Sequence, residues 1–332
     1  MNVLRLFTAM VFAAVLLFAS YTGSDAVAPS TSSSGVYPVR PVRIIVPFPP
    51  GASDVIARML AHKLDEKLGQ PFIIDNRPGA SGILGSDLAS KATTNGYTLL
   101  FITPSFPVTA IFYKKLPFDP IKDFTAIGSI GSAPFMLATH PSVPVTSVAE
   151  FIALAKAKPG QLNYATGGTG SIGHLANVLF ARQTGIRVTH VPYKGTGPAV
   201  TALLSGEVQF MLANVIGALS QARAGKLKAL GVASARRSPL APDLPTLTES
   251  GVSDFKEGTW YGMLAPHGVP QRIVNLLNRQ IVALLETRDF HDEIGKAGLE
   301  PDISTPEQFS SFIRSEIAKW RSVMKDAGIE AE

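Results

Sequence analysis

A glycine-rich turn between a short strand and a helix is the segment of this chain with the clearest chemistry. Its sequence, LNYATGGTGSIGHLA, runs from Leu162 to Ala176. Glycines allow a tight turn, and the first N–H groups of the following helix have no partner within that helix. The helix dipole adds partial positive charge at the same end. The sequence therefore predicts an anion-binding turn; the alternative is a turn that only lets the helix pack closely.

The same turn has the spacing of a dinucleotide-binding loop without its surroundings. Gly168, Gly170 and Gly173 fit GxGxxG, a motif that also needs an acidic residue at the end of the next strand. The next predicted strand, 187–191, has His190 as its last polar residue and no carboxylate. The strand before the turn is also polar, whereas core strands of parallel sheets are apolar runs. We therefore expect no NAD, and we predict no other cofactor.

Catalytic and metal sites lack their characteristic residues. A serine hydrolase elbow needs GxSxG, and Thr169 stands where the first glycine belongs, two residues before Ser171. The sequence contains no cysteine, no HExxH and no His and carboxylate cluster at metal-ligand spacing. A periplasmic hydrolase remains an alternative, but no catalytic or metal-binding residue is predicted.

Residues 1–28 have the order of a secretory signal peptide. A basic start is followed by an apolar run from Leu6 to Ala19 and then by the small residues AVA at 26–28. The run of about 14 residues is short for a bilayer span, and no run of 18 or more follows. We therefore expect cleavage before Pro29, a flexible leader over 29–36 and a soluble periplasmic protein.

Composition indicates a globular protein that binds no nucleic acid. The chain has 332 residues, of which 46% are hydrophobic and 17% charged, so it can bury a large core and is long enough for about two domains. The net charge of +5 is dispersed rather than clustered, which argues against a nucleic-acid interface. It favours small anions only weakly.

Strands and helices alternate along the mature chain. Apolar runs predict strands at 42–48, 72–75, 98–102, 135–139, 187–191, 208–212 and 227–233. Helical periodicity and capping residues predict helices at 54–68, 148–156, 270–285 and 306–324. This wiring predicts an α/β protein with parallel sheets in two lobes, the helical tail covering the first lobe and a ligand cleft at the carboxyl ends of the strands. Trp260 and Tyr261 either shape the pocket or fill the hinge.

A resemblance to a known family rests on segments spread over essentially the whole mature chain. In order they are VPFPPGASDVIARML, DNRPGASGILG, NGYTLLF, YKKLPFDPIKDF, the glycine-rich turn, HVPYKGTGPAV, AGKLKALGVAS, WYGMLAPHGVP and KWRSVMKDAGI. Together they closely resemble the Bug family, the extracytoplasmic solute receptors of tripartite tricarboxylate transporters.

The resemblance implies a type II periplasmic-binding-protein fold, with mainly parallel sheets and a hinge. One lobe would comprise 37–130 and 261–332, and the other 131–260. Such a receptor is a monomer that captures a small carboxylate between its lobes and delivers it to membrane transporter subunits. A receptor that feeds a two-component sensor is the alternative, and the identity of the carboxylate stays open.

Ligand-binding residues follow from the resemblance by position. In the first lobe these are Phe48, Gly51, Ala52, Ser53 and Asp54. In the second lobe they are Thr166, Gly168, Thr169, Gly170 and Ser171, flanked by Pro192, Tyr193, Lys194 and Gly195. Ser105 and Asn214 follow strands that point toward the cleft.

Three features need separate comment: the first-lobe loop, Asp54 and His174. The first-lobe loop is one residue shorter than is usual in the family, which redirects its N–H groups. Asp54 either contacts a ligand amine or stabilises the start of its helix. His174 is expected to pack or to form hydrogen bonds rather than to act in catalysis.

Overall fold

Strands and helices alternate along residues 37–331, the part of the chain that the computed structural model describes, apart from the side chains of 216 and 217. The predicted signal peptide at 1–28 and the leader at 29–36 lie outside the described residues. The strands are β1 (Val42–Val46), β2 (Phe72–Asn76), β3 (Thr98–Ile102), β4 (Phe124–Thr139), β5 (Asn163–Thr166), β6 (Thr189–Pro192), β7 (Phe210–Asn214), β8 (Lys228–Val232), β9 (Gly258–Pro266) and β10 (Glu300–Pro301).

The helices fill the connections between these strands. They are α1 (Ala52–Leu68), α2 (Ile83–Ser90), α3 (Ser105–Phe112), α4 (Val148–Ala157), α5 (Ile172–Thr184), α6 (Thr196–Ser205), α7 (Val215–Arg223), α8 (Gln271–Leu285), α9 (Arg288–Lys296) and α10 (Pro306–Asp326). Within residues 37–331, no helix combines the length and the hydrophobicity that crossing a membrane requires.

Capping residues place the helix ends where the sequence predicts them. Thr305 and Gln308 form a capping box, and α10 begins directly after Thr305, at the predicted residue 306. At the other end of the fold, α1 stops because Gly69 adopts a left-handed conformation with φ of 68° and donates its N–H to Asp65. These local signals set where the two helices begin and end.

The sheets confirm the α/β class but are mixed rather than mainly parallel. Strand order is β2-β1-β3-β9-β4-β7-β5-β6, with β8 and β10 also paired to β4. The outer sets β2-β1-β3 and β6-β5-β7 are parallel, as the alternating wiring predicts. The long strands β4 and β9 run antiparallel to their neighbours. The carboxyl ends of β1, β3 and β5 all lead into loops at the candidate site.

Strand β4 belongs to both halves of the sheet. Its residues 124–134 pair with β9, and its residues 135–139 pair with β7. The register with β9 shifts twice, between Ala126 and Gly128 and between Ser129 and Gly131. A Cβ at Gly131 would lie 2.9 Å from the carbonyl oxygen of Glu300, so a glycine is needed for β10 to approach. Irregular register of this kind increases strand twist at the crossing.

Helix α10 packs on both halves of the sheet rather than on the first alone. Phe309, Ile313 and Ile317 belong to the core that contains β1, β3 and β9 residues. One to two turns later, Trp320 and Val323 lie in the core formed around β5, β7 and α5. The expectation that the helical tail covers the first lobe therefore describes only the first part of α10.

A buried cluster of charged and aromatic groups joins α10 to β9. The indole N–H groups of Trp260 and Trp320 donate to Oε2 of Glu316, at 3.4 and 3.0 Å. The ammonium of Lys319 lies 2.9 Å from Glu257 and 2.6 Å from Glu316. Burial raises the pKa of Glu257 to about 7, opposed by the charge of Lys319. Trp260 is therefore a core residue of β9, in the stretch where β9 pairs with β4.

Candidate functional site

Residues 166–171, at the end of β5, form a compact glycine-rich turn, the glycine loop, which is stabilised by its own hydrogen bonds. The Thr166 hydroxyl accepts from the N–H of Gly168 and lies 3.2 Å from its carbonyl oxygen. The N–H of Ser171 donates to the same carbonyl at 3.2 Å. Gly168 and Gly170 have φ of 136° and 74°, values that favour glycine. The Ser171 hydroxyl then caps α5 by accepting from the N–H of His174 at 3.2 Å.

The amides left unpaired define what this loop can bind. Those of Gly168, Gly170 and Ser171 are used within the loop and its support. Within residues 37–331, the N–H groups of Gly167, Thr169, Ile172 and Gly173 donate to no other protein group. Two of these belong to the first turn of α5, where the helix dipole favours an anion. The loop therefore retains free donors for an anion, though not at every glycine.

Two stacked histidines, His174 and His190, form hydrogen bonds with the glycine loop. The ring of His174 stacks on that of His190 with centroids 4.0 Å apart, and His190 stacks on Tyr164 at 5.0 Å. Nδ1 of His174 accepts from the N–H of Gly170 at 3.2 Å. Burial, and then the nearby His190, lower the pKa of His174 to about 4. The hydrogen-bonding role expected for His174 is the one the structure gives it.

A cavity of about 250 Å³ separates the loop from the opposite wall. Its lining consists of Phe48 after β1, Ser81 before α2, the α3 residues Ser105, Val108, Thr109 and Phe112, then Tyr113, and the loop residues 167–171. Of these described residues, none carries an ionised side chain. The cavity therefore offers amides and hydroxyls as polar partners, with an apolar wall.

The side of the cavity opposite the glycine loop is itself a strained turn. Ala80 and Ser81 have φ of 45° and 55°, which residues other than glycine adopt rarely. The Ser81 hydroxyl lies 3.3 Å from the Tyr113 hydroxyl, and the Thr109 hydroxyl donates to the Ser81 carbonyl at 3.4 Å. Strain of this kind persists only where the surrounding contacts enforce it, and it concentrates at binding sites.

The sequence matches the family model described as tripartite tricarboxylate transporter family receptor over residues 56–329. The chain belongs to this family. Among curated relatives, BugT of Bordetella pertussis is 38% identical over 299 residues, covering 89% of this chain and 92% of BugT. The expected membership of the Bug family is therefore confirmed.

Solved structures agree with this membership. A structure of R. palustris Rpa4515 with adipate is 36% identical, with a TM-score of 0.79, and covers 89% of this chain and 100% of that one. MatC from Rhodopseudomonas palustris with bound malate is 32% identical, with a TM-score of 0.73, and covers 86% and 99%. The receptor therefore has the fold of periplasmic solute-binding proteins.

The receptor brings together part of the predicted site. Six predicted residues line the cavity: Phe48, Ser105, Gly168, Thr169, Gly170 and Ser171. Ten others do not line it: Gly51, Ala52, Ser53, Asp54, Thr166, Pro192, Tyr193, Lys194, Gly195 and Asn214. The flanking role of the 192–195 segment is visible, since the N–H groups of Tyr193 and Gly195 donate to Thr166 and Gly167. Asn214 lies instead at the end of β7, where its side-chain amide nitrogen is 3.4 Å from the hydroxyl of Thr259 in β9.

Asp54 lies where it can stabilise the start of α1 through the helix dipole, but it is not the cap, since Gly51 holds that position and no side chain caps the helix. It lies in the first turn of α1 with 7% of its surface exposed, and its Oδ2 accepts from Nε of Arg58 at 2.8 Å. Its Oδ1 has no partner among the described residues. The hydrogen bond from Arg58 is the main cause that lowers the pKa of Asp54. Its placement at the start of α1 remains favourable for the helix dipole.

Six cavity residues were not predicted: Ser81, Val108, Thr109, Phe112, Tyr113 and Gly167. For Ser81 a signal existed, because GASG before α2 repeats the pattern of a glycine turn leading into a helix. Val108 and Phe112 resemble ordinary core residues in sequence. Among residues 37–331, no group of three His, Asp or Glu side chains is placed to hold a metal ion.

Proposed function

We propose that this receptor captures a small carboxylate in the periplasm and delivers it to a tripartite tricarboxylate-type membrane transporter. The observation that carries the proposal is the cavity between the glycine loop and α3, which combines free amides with an uncharged lining. A carboxylate needs several donors in a fixed geometry, and charge-assisted hydrogen bonds to backbone N–H groups are strong. The relatives with adipate and malate support this ligand class.

The carboxylate is proposed to bind at the N-terminal end of α5. Gly167 and Thr169 line the cavity, and their N–H groups, like those of Ile172 and Gly173 at the start of α5, donate to no other group of the described chain. The Ser171 hydroxyl has its lone pair engaged by the helix cap and keeps its proton for a ligand oxygen. Phe48 and Phe112 supply the apolar surface for the carbon skeleton.

A hydrolytic role receives no support from Ser171. Within residues 37–331, its hydroxyl forms a hydrogen bond to the backbone N–H of His174 and to no imidazole or carboxylate. A serine nucleophile needs a base within hydrogen-bond reach. We therefore assign the receptor a binding function without catalysis.

Two lobes are proposed to close around the ligand, one comprising 37–130 with 261–332 and the other 131–260. The cavity walls support this division, since Phe48 and α3 belong to the first and the glycine loop to the second. Contacts made to both lobes favour a closed state by their differential binding energy. Small-angle scattering of the monomer should then give a smaller radius of gyration with saturating adipate. An unchanged radius with bound adipate would contradict the two-lobe closure.

Thermal denaturation of the mature chain tests the ligand class. Adipate, malate, citrate and nicotinate are compared at equal ionic strength, with adipamide as the uncharged match for adipate. A ligand at a hundred times its Kd adds about 2.7 kcal/mol, which raises the Tm by roughly 5 °C in a protein of this size. We expect at least one carboxylate to do so and the diamide to have no effect. Equal stabilisation by adipamide, or none by any carboxylate, would overturn the proposal.

A further inference from the structure

The imidazoles of His174 and His190 contact the glycine loop near its two ends, at Gly170 and at Thr166. Nδ1 of His174 accepts from the N–H of Gly170 at 3.2 Å. Nε2 of His190 lies 2.6 Å from the hydroxyl of Thr166, the residue that also bonds Gly168. The two rings are nearly parallel, at 12°. Two of the hydrogen bonds that shape the loop thus end on one stacked pair of imidazoles.

The hydrogen bond from Gly170 determines the protonation state of His174. A backbone N–H can only donate, so Nδ1 must carry a lone pair and the ring must be the neutral Nε2–H tautomer. A second proton would place two donors face to face and remove the support of Gly170. Burial of His174, which is 7% exposed, and the stacked His190 both act against that second proton.

Few other charges act on this pair. Tyr164, on the far side of His190, is kept neutral because burial raises its pKa to about 12. Arg182, two turns further along α5, forms an ion pair with Asp326 of α10. The cavity side of the loop has no ionised side chain among the described residues. The neutral state of His174 therefore depends on burial and on His190.

We propose that His174 and His190 are positioning residues that hold the glycine loop in its anion-binding form only while His174 is neutral. This inference rests on the proposed function for its consequence, since the loop positions the amides of Thr169 and α5. It differs from simple packing in one respect. A ring that only fills space needs no acceptor atom facing Gly170, whereas a positioning residue does.

Two substitutions separate the ring from its acceptor atom. His174→Phe keeps an aromatic ring to stack on His190 and removes the acceptor, while His174→Asn keeps an acceptor near the position of Nδ1 and removes most of the ring. His291→Phe is the matched control, because His291 is an exposed residue of α9. All variants are made in the full mature chain.

The first measurement needs no ligand. Nitrogen-15 NMR of the wild type should show an unprotonated Nδ1 at His174 from pH 8 to pH 5, and a Gly170 amide signal that shifts together with His174 as the pH falls toward 3.5. We expect that acid step to be absent in His174→Asn, and amide exchange at Gly170 to accelerate about tenfold in His174→Phe but not in His291→Phe. A protonated Nδ1, or an unchanged Gly170 amide in His174→Phe, would overturn the proposal.

The second measurement links the loop to binding. Adipate titration by calorimetry at pH 7.5 should show affinity reduced about two- to tenfold in His174→Phe, the range for one neutral hydrogen bond. His174→Asn should recover part of this loss, and His291→Phe should match the wild type. If adipate does not bind the wild type, the titration uses the carboxylate that stabilises the wild type against heat; if none does, the proposed ligand class fails while the NMR result still decides the role of His174. Equal affinity of wild type and His174→Phe would refute the positioning role.

Discussion

Replacing Gly170 by alanine tests the contact that closes the cavity between the glycine loop and α3. A Cβ at Gly170 would lie 2.8 Å from Cε2 of Phe112 and 3.0 Å from Cδ2 and Cζ. Phe112 is 8% exposed, and it packs in the core with Val108 and Leu175 as well as lining the cavity, so neighbouring side chains hold part of its ring in place. We therefore expect both strain and a steric clash from a single added methyl group.

Two contributions set the expected loss of unfolding free energy in Gly170→Ala. Alanine at φ of 74° costs about 1–2 kcal/mol of unfolding free energy because the left-handed region is unfavourable. Overpacking against Phe112 adds about 1–3 kcal/mol. Gly160→Ala is the matched control, since Gly160 has φ of 75° and its Cβ would meet nothing within 4 Å. The difference between the two variants should therefore be about 1–3 kcal/mol.

Urea denaturation of the two variants measures this difference directly. Adding Phe112→Leu to Gly170→Ala should recover at least about 1 kcal/mol beyond additivity, because the smaller side chain relieves the clash. The same substitution added to Gly160→Ala should show no such coupling. If Gly170→Ala is no less stable than Gly160→Ala, the loop does not contact Phe112 in solution and the cavity geometry is wrong.

Three further predictions concern the glycine loop, the buried charged cluster and the hydrogen bonds of Asn278 in α8. Ser171→Ala and Ser147→Ala each remove a helix cap with a 3.2 Å hydrogen bond and should each cost about 1 kcal/mol of stability. In adipate calorimetry, only the former should weaken binding, by roughly ten- to a hundredfold, and equal affinities would contradict the site. The raised pKa of Glu257 means that the native state takes up its proton more readily than the unfolded state, so this group makes stability fall as pH rises from about 4.5 to about 7. Glu257→Gln should therefore reduce the difference between the free energies of unfolding at pH 5 and at pH 8, measured with urea. An unchanged difference would contradict the raised pKa of Glu257. Asn278 donates to two carbonyls at 2.8 and 2.9 Å, so Asn278→Ala should cost about 1–3 kcal/mol in urea, and a loss no larger than that of the exposed Asn275→Ala would contradict this.

The strands that the sequence predicts well are apolar runs bounded by Gly, Pro or Asn. β3 matches its predicted bounds, and β1 and β2 end within two residues of theirs. The first part of β4 and the whole of β9 were not predicted as strands. Small residues such as Gly128 and Gly131 interrupt the apolar pattern there. Only the structure shows why, since Cβ atoms at these positions would meet Asn278 and Glu300.

The candidate site was predictable where backbone chemistry has a sequence signature. Glycines between a strand and a helix reveal the loop and the direction of its helix. They do not reveal which amides are already used, and the N–H of Gly170 proves to be bound by His174. The opposite wall was missed because Phe112 has the sequence pattern of a core residue. Whether it faces a cavity depends on how α3 meets the loop, which is a tertiary property.

The chain contains two tryptophans, and both donate to the same carboxylate where α10 meets β9. Indole emission depends on the charges and hydrogen bonds around the ring, and here one Glu316 oxygen and the ammonium of Lys319 lie against Trp320. A rotation of β9 against α10 would change both environments together. The receptor thus has an intrinsic optical probe at its strand crossing, so its conformational kinetics can be followed by stopped-flow fluorescence without an attached dye.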